Sequence, residues 1–202
     1  MELLEKEQII TSLNSTESDS LFISPLLDLK QIGETSIDLR LGYDFLVSVL
    51  TRKPYINLQS VDEDYRDIST YFQTTRREIG DRFILYPNQI ALTTTLEYVS
   101  LPNNMYADIL TRSSFTRLGI HVNTMIQPGF RGCFSVELFN YGNNAVELIV
   151  GSRMFQIRLF SINVSRSYGS ISNRKYIGNV RPTPSKANED IDLLVLDKIE
   201  NY

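Results

Sequence analysis

A carboxylate within an apolar strand pattern is the first candidate for chemistry. Glu137 lies in the run Phe-Ser-Val-Glu-Leu-Phe-Asn at residues 134–140. Because successive side chains of a strand point to opposite faces, Glu137 shares a face with Ser135 and Phe139. If that face borders solvent, Glu137 is an ordinary polar residue of an antiparallel sheet. If the face is enclosed, the carboxylate is suited to proton transfer as a general base or acid.

Arginines combined with serine hydroxyls form a second candidate group. The segment Thr-Arg-Ser-Ser-Phe-Thr-Arg-Leu-Gly at residues 111–119 contains Arg112, Ser113, Ser114 and Arg117. Guanidinium N–H groups and serine hydroxyls are suited to phosphate oxygens. A capped surface helix with ordinary charges explains the same segment. It is not a P-loop, because the pattern G-x-x-x-x-G-K-[ST] occurs nowhere in the sequence.

The numbers of His and Cys residues exclude a zinc site within one chain. His121 is the single His and Cys133 the single Cys among 202 residues. A zinc site normally takes three or four ligands of these types, and zinc-dependent nucleobase deaminases need a His/Cys/Cys or three-Cys set. We therefore expect no metal held by protein side chains. Carboxylates, hydroxyls, amides and basic groups must carry any chemistry.

Short apolar runs must position these residues. They lie at 36–41, 43–50, 83–86, 89–96, 106–111, 134–140, 146–150 and 154–160, separated by turn residues, and they indicate an all-β barrel or sandwich. In the last of them, alternation places Gln156 on one face with Met154 and Arg158.

Three further segments lie outside this strand pattern. Helical spacing of Leu and Ile predicts a short helix over residues 2–13. Residues 51–81 are more charged and are interpreted as a partly helical insertion. After a polar stretch at 165–186, residues 191–199 are apolar again, and they dock either on the body or on a neighbouring subunit.

Composition and charge narrow the class of protein. The chain is 42% hydrophobic and 22% charged, which is ordinary globular usage for one domain. A net charge of −4 argues against a protein that grips nucleic acid. No apolar stretch approaches membrane-helix length, the acidic N-terminus lacks a signal-peptide pattern, and one Cys allows no internal disulfide. We expect a cytoplasmic protein without a membrane or nucleic-acid partner.

In order and spacing, the segments together resemble the dCTP deaminase branch of the dUTPase superfamily. The resemblance runs from about residue 21 to 186 through blocks at 35–42, 112–119, 127–132, 137–140 and 151–156 and a tail with Tyr168, Lys175 and Tyr176. It implies a mainly β, distorted β-barrel over residues 1–164 with a short N-terminal helix. It also implies a flexible C-terminal tail, residues 165–202, that closes over a nucleotide site.

The resemblance implies an activity and partners. The expected reaction is zinc-free deamination of dCTP to dUTP and ammonia, with Mg²⁺ bound through the nucleotide phosphates, in a homotrimer with sites at subunit interfaces. Glu137 would be the general base and acid, and Ser113 would help to position the attacking water. Nucleotide contacts are expected at Arg112, Ser114, Arg117, Gln127, Ser135, Val136, Gln156, Tyr168, Lys175 and Asn179. Asp38 is either structural or acts on the metal's water shell.

Gln127 departs from the family pattern, which has Asp at this turn. That Asp contacts the deoxyribose 3′-hydroxyl, and in dUTPases it also polarises the hydrolytic water. An amide can hydrogen-bond a hydroxyl but is a poor base, so deamination is expected ahead of diphosphate hydrolysis. The alternatives are a dUTP diphosphatase or bifunctional deaminase and diphosphatase, and a non-catalytic nucleotide-binding interaction protein. Besides dCTP, dUTP or dTTP is a candidate ligand.

Overall fold

The computed structural model describes residues 1–52, 55–58, 67–163, 175–176 and 178–200. Within them the chain forms twelve strands and three α-helices. In chain order these are β1 (Glu2–Leu3), α1 (Lys6–Leu13), β2 (Phe22–Ser24), β3 (Ile37–Ser48), β4 (Phe72–Arg76), β5 (Arg82–Leu85), β6 (Ile90–Ser100), β7 (Met105–Thr111), α2 (Ser113–Thr116), β8 (Ile120–His121), β9 (Asn123–Ile126), β10 (Arg131–Asn140), β11 (Val146–Ile149), β12 (Arg153–Ser161) and α3 (Ile191–Glu200).

The main sheet is a nearly closed barrel. Its antiparallel strands follow the order β8-β10-β6-β3-β12-β7-β9, with β1, β2 and β4 added beside β12, β6 and β3. The two ends of this order, β8 and β9, are consecutive in the chain. In the described part of the chain, β9 pairs only with β7, and β10 pairs with β8 only at Phe139 and Asn140. An open gap, called the seam below, therefore lies between β9 and residues 135–138 of β10.

Side-chain alternation fills the barrel and fixes which residues face the seam. Phe134, Val136 and Leu138 of β10 are fully buried, whereas Glu137 is exposed. Phe45 and Phe83 stack in the core with their ring centroids 4.0 Å apart. Burial of each such side chain contributes roughly 1.5–3 kcal/mol to the free energy of unfolding. A one-residue slip of β10 would turn these side chains outward, so the core holds Glu137 on the outer face.

A buried carboxylate on β6 holds two chain segments together. Glu97 is fully buried, and its two oxygens accept hydrogen bonds from the backbone N–H of Arg40 at 2.9 Å and from Nε2 of Gln31 at 3.1 Å. Burial raises the pKa of the Glu97 carboxyl, and these hydrogen bonds offset part of that rise. The β10–β6 pairing shifts register at this point, between Cys133 and Ser135.

The prediction of a mainly β barrel is confirmed. The N-terminal helix starts later than expected, at Lys6, where Glu5 and Gln8 form a capping box. Two predicted strands are joined into β3, because Gly42 continues the strand. A Cβ at Gly42 would lie 2.6 Å from the backbone O of Thr94, so the close approach of β3 and β6 requires glycine.

The two segments with open interpretations also contain regular structure. The predicted insertion at 51–81 holds a 3₁₀ turn at Ile68–Tyr71 and strand β4, while its residues 53–54 and 59–66 lie outside the described residues. The apolar run near the C-terminus is helix α3. Its Ile191, Val195 and Leu196 are each about half exposed, so these side chains are not buried against the body. Among the described residues, no helix is long and apolar enough to cross a bilayer.

Candidate active site

A cavity of about 850 Å³ opens at the seam. Strands β8, β9 and β10 supply most of its wall, and Phe72 of β4 and Ile90 and Leu92 of β6 also line it. The turn before β10 and the C-terminal segment, here the described residues from 175 to 190, contribute further side chains. The β10 side chains that line it are Cys133, Ser135, Glu137 and Phe139, and the C-terminal ones are Tyr176, Asn179, Thr183 and Ser185. The side chains that sequence alternation placed together therefore do share one wall.

Glu137 is the one Asp, Glu, Lys or Arg among the described residues that line this cavity. Its Oε2 accepts a hydrogen bond from Oγ1 of Thr124 on β9 at 3.1 Å. On its other side, the strand register places Leu92 directly opposite Glu137, with Ile90 as the next outward-facing neighbour. The carboxylate thus stands between a hydroxyl donor and an apolar wall at the mouth of a concave site.

The turn that leads into β10 brings Gln127 to the same cavity. The backbone N–H of Phe130 donates to the carbonyl of Gln127 at 3.3 Å, and that of Gly129 donates to Pro102 at 3.1 Å. Gly129 has φ +73, a conformation that favours glycine. The predicted site residues Gln127, Ser135, Glu137 and Asn179 are therefore brought together within one chain.

A second group of predicted residues forms a separate surface, here called the arginine surface: Arg112, Ser113, Ser114, Arg117 and Gln156. Nε of Arg112 lies 3.3 Å from Oδ2 of Asp38, and Arg153 approaches the same oxygen at 3.9 Å. Asp38 is buried and pairs in register with Gln156. Its carboxylate orients the two guanidinium groups, which favours the structural interpretation of Asp38.

The structure does not bring the two groups into one cavity of a single chain. None of the residues of the arginine surface lines the seam cavity. Ser113 is exposed on α2, so the expected pairing of Ser113 with Glu137 is not met within one chain. Val136 is fully buried and does not line the cavity, so its side chain is not available to a ligand there. Tyr168 lies outside the described residues.

Lys175 contacts the C-terminal segment rather than the cavity. Its Nζ donates to the backbone O of Lys186 at 2.6 Å and forms a short ion pair with Asp190. The neighbouring Tyr176 lines the cavity, and its hydroxyl accepts from the backbone N–H of Lys186 at 3.1 Å. The Lys175 ammonium group, which was expected to contact a phosphate, is therefore paired with Asp190 instead.

The C-terminal segment is held against the start of β10. The backbone N–H of Gly178 donates to the carbonyl of Arg131 at 3.1 Å, and the N–H of Cys133 donates to the carbonyl of Asn179 at 3.0 Å. Gly132 permits this contact, because its φ is +148 and a Cβ there would lie 2.5 Å from the carbonyl oxygen of Asn179. Backbone pairing thus places Asn179 at the cavity.

A further ion-pair group holds the same segment farther along. Nε of Arg181 lies 3.6 Å from Oδ2 of Asp44. A terminal guanidinium nitrogen of Arg76 lies 3.4 Å from Oδ1 of the same carboxylate. Asp44 is buried on β3, so this contact connects the segment to the barrel wall. The Tyr43 ring lies below the Arg76 guanidinium at 4.3 Å and adds a cation–π contact.

Sequence reasoning missed Thr124 and Glu97. Glu97 is a charged residue directly after the predicted apolar strand at 89–96, and this position was a signal that the sequence offered. No pattern in the residues around Thr124 indicates a role for it. Cys133 and His121 both line the cavity, but no group of three or more His, Cys, Asp or Glu that could hold a metal occurs in the described ranges. Burial, with a contribution from the Glu97 charge, raises the pKa of the Cys133 thiol to about 11, so it is not a ready nucleophile.

Comparisons with known proteins show similarity along most of the chain. The model of the family described as dCTP deaminase-like matches residues 3–162. A protein of Methanobrevibacter smithii named "dCTP deaminase, dUMP-forming" is 36% identical over 183 residues, which cover 88% of this chain and 92% of the relative. A Haloarcula marismortui protein named "dCTP deaminase" is 36% identical over 184 residues, with the same 88% and 92% coverage.

A solved structure shows the same fold. The 2′-deoxycytidine 5′-triphosphate deaminase from Agrobacterium tumefaciens matches with a TM-score of 0.57 and 22% identity. The match covers 78% of this chain and 47% of that chain. The family model covers the whole barrel, and the resemblance in the sequence motifs is confirmed. On this evidence the chain belongs to the dCTP deaminase-like family.

Proposed function

We propose that the protein is a dCTP deaminase that converts dCTP and water to dUTP and ammonia. The observation that carries this proposal is Glu137, the one acid side chain in the seam cavity of the described chain. The names of the relatives from Methanobrevibacter smithii and Haloarcula marismortui support dCTP as the substrate. The enzyme would be a hydrolase of the C4–N4 bond and a source of dUTP.

Glu137 acts first as a base and then as an acid in this reaction. It takes a proton from a water molecule, and the resulting hydroxide attacks C4 of cytosine. The proton passes to N3, the second water proton reaches the amine, and ammonia leaves as the C4 carbonyl forms. The apolar side chains of Leu92 and Ile90 form a wall beside Glu137 against which the pyrimidine ring can lie.

The seam itself supplies groups that can read the base. In the described ladders, residues 135–138 of β10 and the outer edge of β9 have no strand beside them across the seam. Along β10 the backbone N–H and C=O groups of Ser135 and Glu137 point across the seam, whereas those of Val136 and Leu138 point toward β6. The groups of Ser135 and Glu137 are therefore available to the edge of a pyrimidine ring. Gln127 offers an amide to a sugar hydroxyl at the same cavity.

A second copy of the chain completes the site in a homotrimer. No Lys or Arg among the described residues lines the seam cavity, although a triphosphate requires cationic partners. Arg112 and Arg117, with the hydroxyls of Ser113 and Ser114, lie on another surface. The arginine surface of one protomer placed at the seam of the next would join base, water-positioning hydroxyl and phosphate contacts in one site.

Mg²⁺ bound through the nucleotide phosphates is the proposed cofactor, and zinc is not used. The donor set fits this arrangement, because the cavity offers one carboxylate and no metal-ligand cluster occurs in the described residues. Phosphate oxygens and water, which are ligands that Mg²⁺ prefers, would hold the ion. When bound, Mg²⁺ neutralises phosphate charge. A cytoplasmic location remains a prediction.

A bifunctional deaminase and diphosphatase is the second candidate. The dUMP-forming name of the Methanobrevibacter smithii relative favours it. Against it, position 127 holds an amide, and the described cavity has no second carboxylate to activate water for attack on a phosphate. We therefore propose dUTP, rather than dUMP, as the product.

Incubation with dCTP and Mg²⁺, with ammonia and pyrophosphate scored separately, tests these functions. Glu137→Gln should reduce ammonia release by at least about 100-fold while dCTP still binds, because an amide cannot act as the base. Glu147→Gln is the matched control and should remain active. Glu147 is an exposed carboxylate on β11 that pairs with Arg82 on β5, and it does not line the cavity. Pyrophosphate from the wild type would establish the bifunctional enzyme. Tight dCTP binding without either product would favour the non-catalytic interaction protein.

A further inference from the structure

We propose that Thr124 positions the Glu137 carboxylate by a hydrogen bond across the open seam, an inference that rests on the proposed function. Oγ1 of Thr124 lies 3.1 Å from Oε2 of Glu137. The bond joins β9 and β10, which do not pair with each other in the described part of the chain. It is thus a side-chain bridge where the barrel lacks a backbone ladder.

The donor is held independently of the acceptor. Strand β9 pairs with β7, where Thr124 lies opposite Ile109. At the start of β9 the backbone N–H of Val122 donates to Oγ1 of Thr111 at 2.7 Å, which ties the segment to the end of β7. Thr124 is half-buried and β-branched, so its χ1 is restricted. The hydroxyl is therefore a fixed point on one side of the seam.

The acceptor needs such a fixed point. The backbone of Glu137 is fixed by pairing with Leu92, but the side chain is exposed and has three rotatable bonds. Thr124 is its one hydrogen-bonding side chain among the residues that the structure describes. Holding Oε2 leaves Oε1 free to take the proton of a water molecule. Because proton transfer depends on geometry, restricting the carboxylate should raise the rate of the chemical step more than substrate affinity.

Kinetics of two variants at this position test the role. Thr124→Val keeps the branched shape but removes the donor, and it should lower kcat about 10-fold with KM changed less than about twofold. Thr124→Ser restores the hydroxyl and should recover kcat to within about threefold of the wild type. Thr11→Val, which removes a hydroxyl bonded to the carbonyl of Glu7 on α1, is the matched control and should leave kcat unchanged.

A double-mutant cycle measures the bond without reference to activity. Urea unfolding of Thr124→Val, Glu137→Ala and the double variant should give non-additive losses, because either single change already breaks the bond. Additive losses would overturn the inference, as would a Thr124→Val enzyme with wild-type kcat or a Thr124→Ser enzyme as slow as Thr124→Val. If the wild type releases no ammonia from dCTP, the proposed function fails and this inference fails with it. An active wild type with an unaffected Thr124→Val variant removes the inference alone.

Discussion

A carboxylate can transfer protons in hydrolytic deamination when a donor holds it in place beside the substrate. At the seam Thr124 donates to the exposed Glu137 carboxylate on one side, and Leu92 forms an apolar wall on the other. The second acid of this region, Glu97, has a different environment. It is fully buried and bonded to Arg40 and Gln31, so it connects strands and has no access to substrate.

Glu97 should make stability depend on pH in a recognisable way. Burial raises the pKa of Glu97 above the ordinary value of 4.5. Between pH 4.5 and this raised pKa, the folded state therefore binds more protons than the unfolded state. Its contribution to the free energy of unfolding therefore falls as pH rises through that interval and is constant below it. Glu97→Gln should lack this fall, since an amide does not titrate.

Chemical unfolding of both proteins from pH 4 to pH 8 provides the measurement. Subtraction of the Glu97→Gln curve removes the shared contributions of the other carboxylates. A difference curve that is flat, or that rises with pH, would contradict the assigned environment of Glu97.

At the scale of elements, the docking of the C-terminal segment on β10 depends on Gly132. Its φ of +148 and the 2.5 Å that would separate a Cβ from the carbonyl of Asn179 leave no room for a side chain. Gly132→Ala adds backbone strain of about 1–3 kcal/mol and should displace the segment that carries Asn179 and Tyr176. Since both residues line the cavity, KM for dCTP should rise several-fold.

Gly80→Ala is the matched control for Gly132→Ala. Gly80 also has a positive φ, +91, but a Cβ there meets no heavy atom within 4 Å. It should therefore lose stability without a change in KM. Equal KM values for all three proteins would show that the docked segment does not contribute to binding.

The ion pair of Lys175 with Asp190 should compete with a phosphate. Lys175 can contact a nucleotide only after Asp190 and the carbonyl of Lys186 release its ammonium group. Asp190→Asn removes the competing charge. Because Asp190 is more than half exposed, the pair contributes at most about 1 kcal/mol, so KM for dCTP should fall up to about fivefold with kcat unchanged.

Glu189→Gln provides the comparison for Asp190→Asn. Its carboxylate lies 3.7 Å from Nζ of Lys186 and does not contact Lys175. KM should stay at the wild-type value in this variant. A higher KM for Asp190→Asn would mean that Asp190 orients Lys175 for binding and does not compete.

At the scale of the whole molecule, the two separate groups of site residues predict complementation between inactive chains. Glu137→Gln and Arg117→Ala should each be inactive or nearly so alone. Co-expressed in equal amounts, they can combine an intact Glu137 from one protomer with an intact arginine surface from its neighbour. With random assembly of a homotrimer, about one quarter of the sites should be intact, so about 25% of wild-type activity should return.

Sedimentation of the wild-type and mixed proteins gives the oligomeric state for the same preparations. Recovery of activity only in assembled fractions agrees with a site shared between protomers. No recovery from a correctly assembled mixture would mean that Glu137 and Arg117 act within one chain.

Local patterns account for most of the barrel and for the candidate side chains. Alternation depends only on neighbouring residues, so the outward face of Glu137 and Ser135 and the buried face of Val136 follow from the order of residues in β10. The same reasoning was wrong at Met154, which is buried and does not share a face with Gln156. A register shift between Arg153 and Phe155 breaks the alternation there, and it depends on how β12 meets β3.

Long-range pairing decided the rest. The seam exists because β8 and β9 lie at the two ends of the strand order. No feature within either strand indicates which strands it will pair with. That arrangement selected Thr124 as the partner of Glu137 and set Arg112 and Ser113 on a different surface. Residue order dictates which face a side chain takes, whereas contacts between segments far apart in the chain depend on packing free energy summed over the whole barrel.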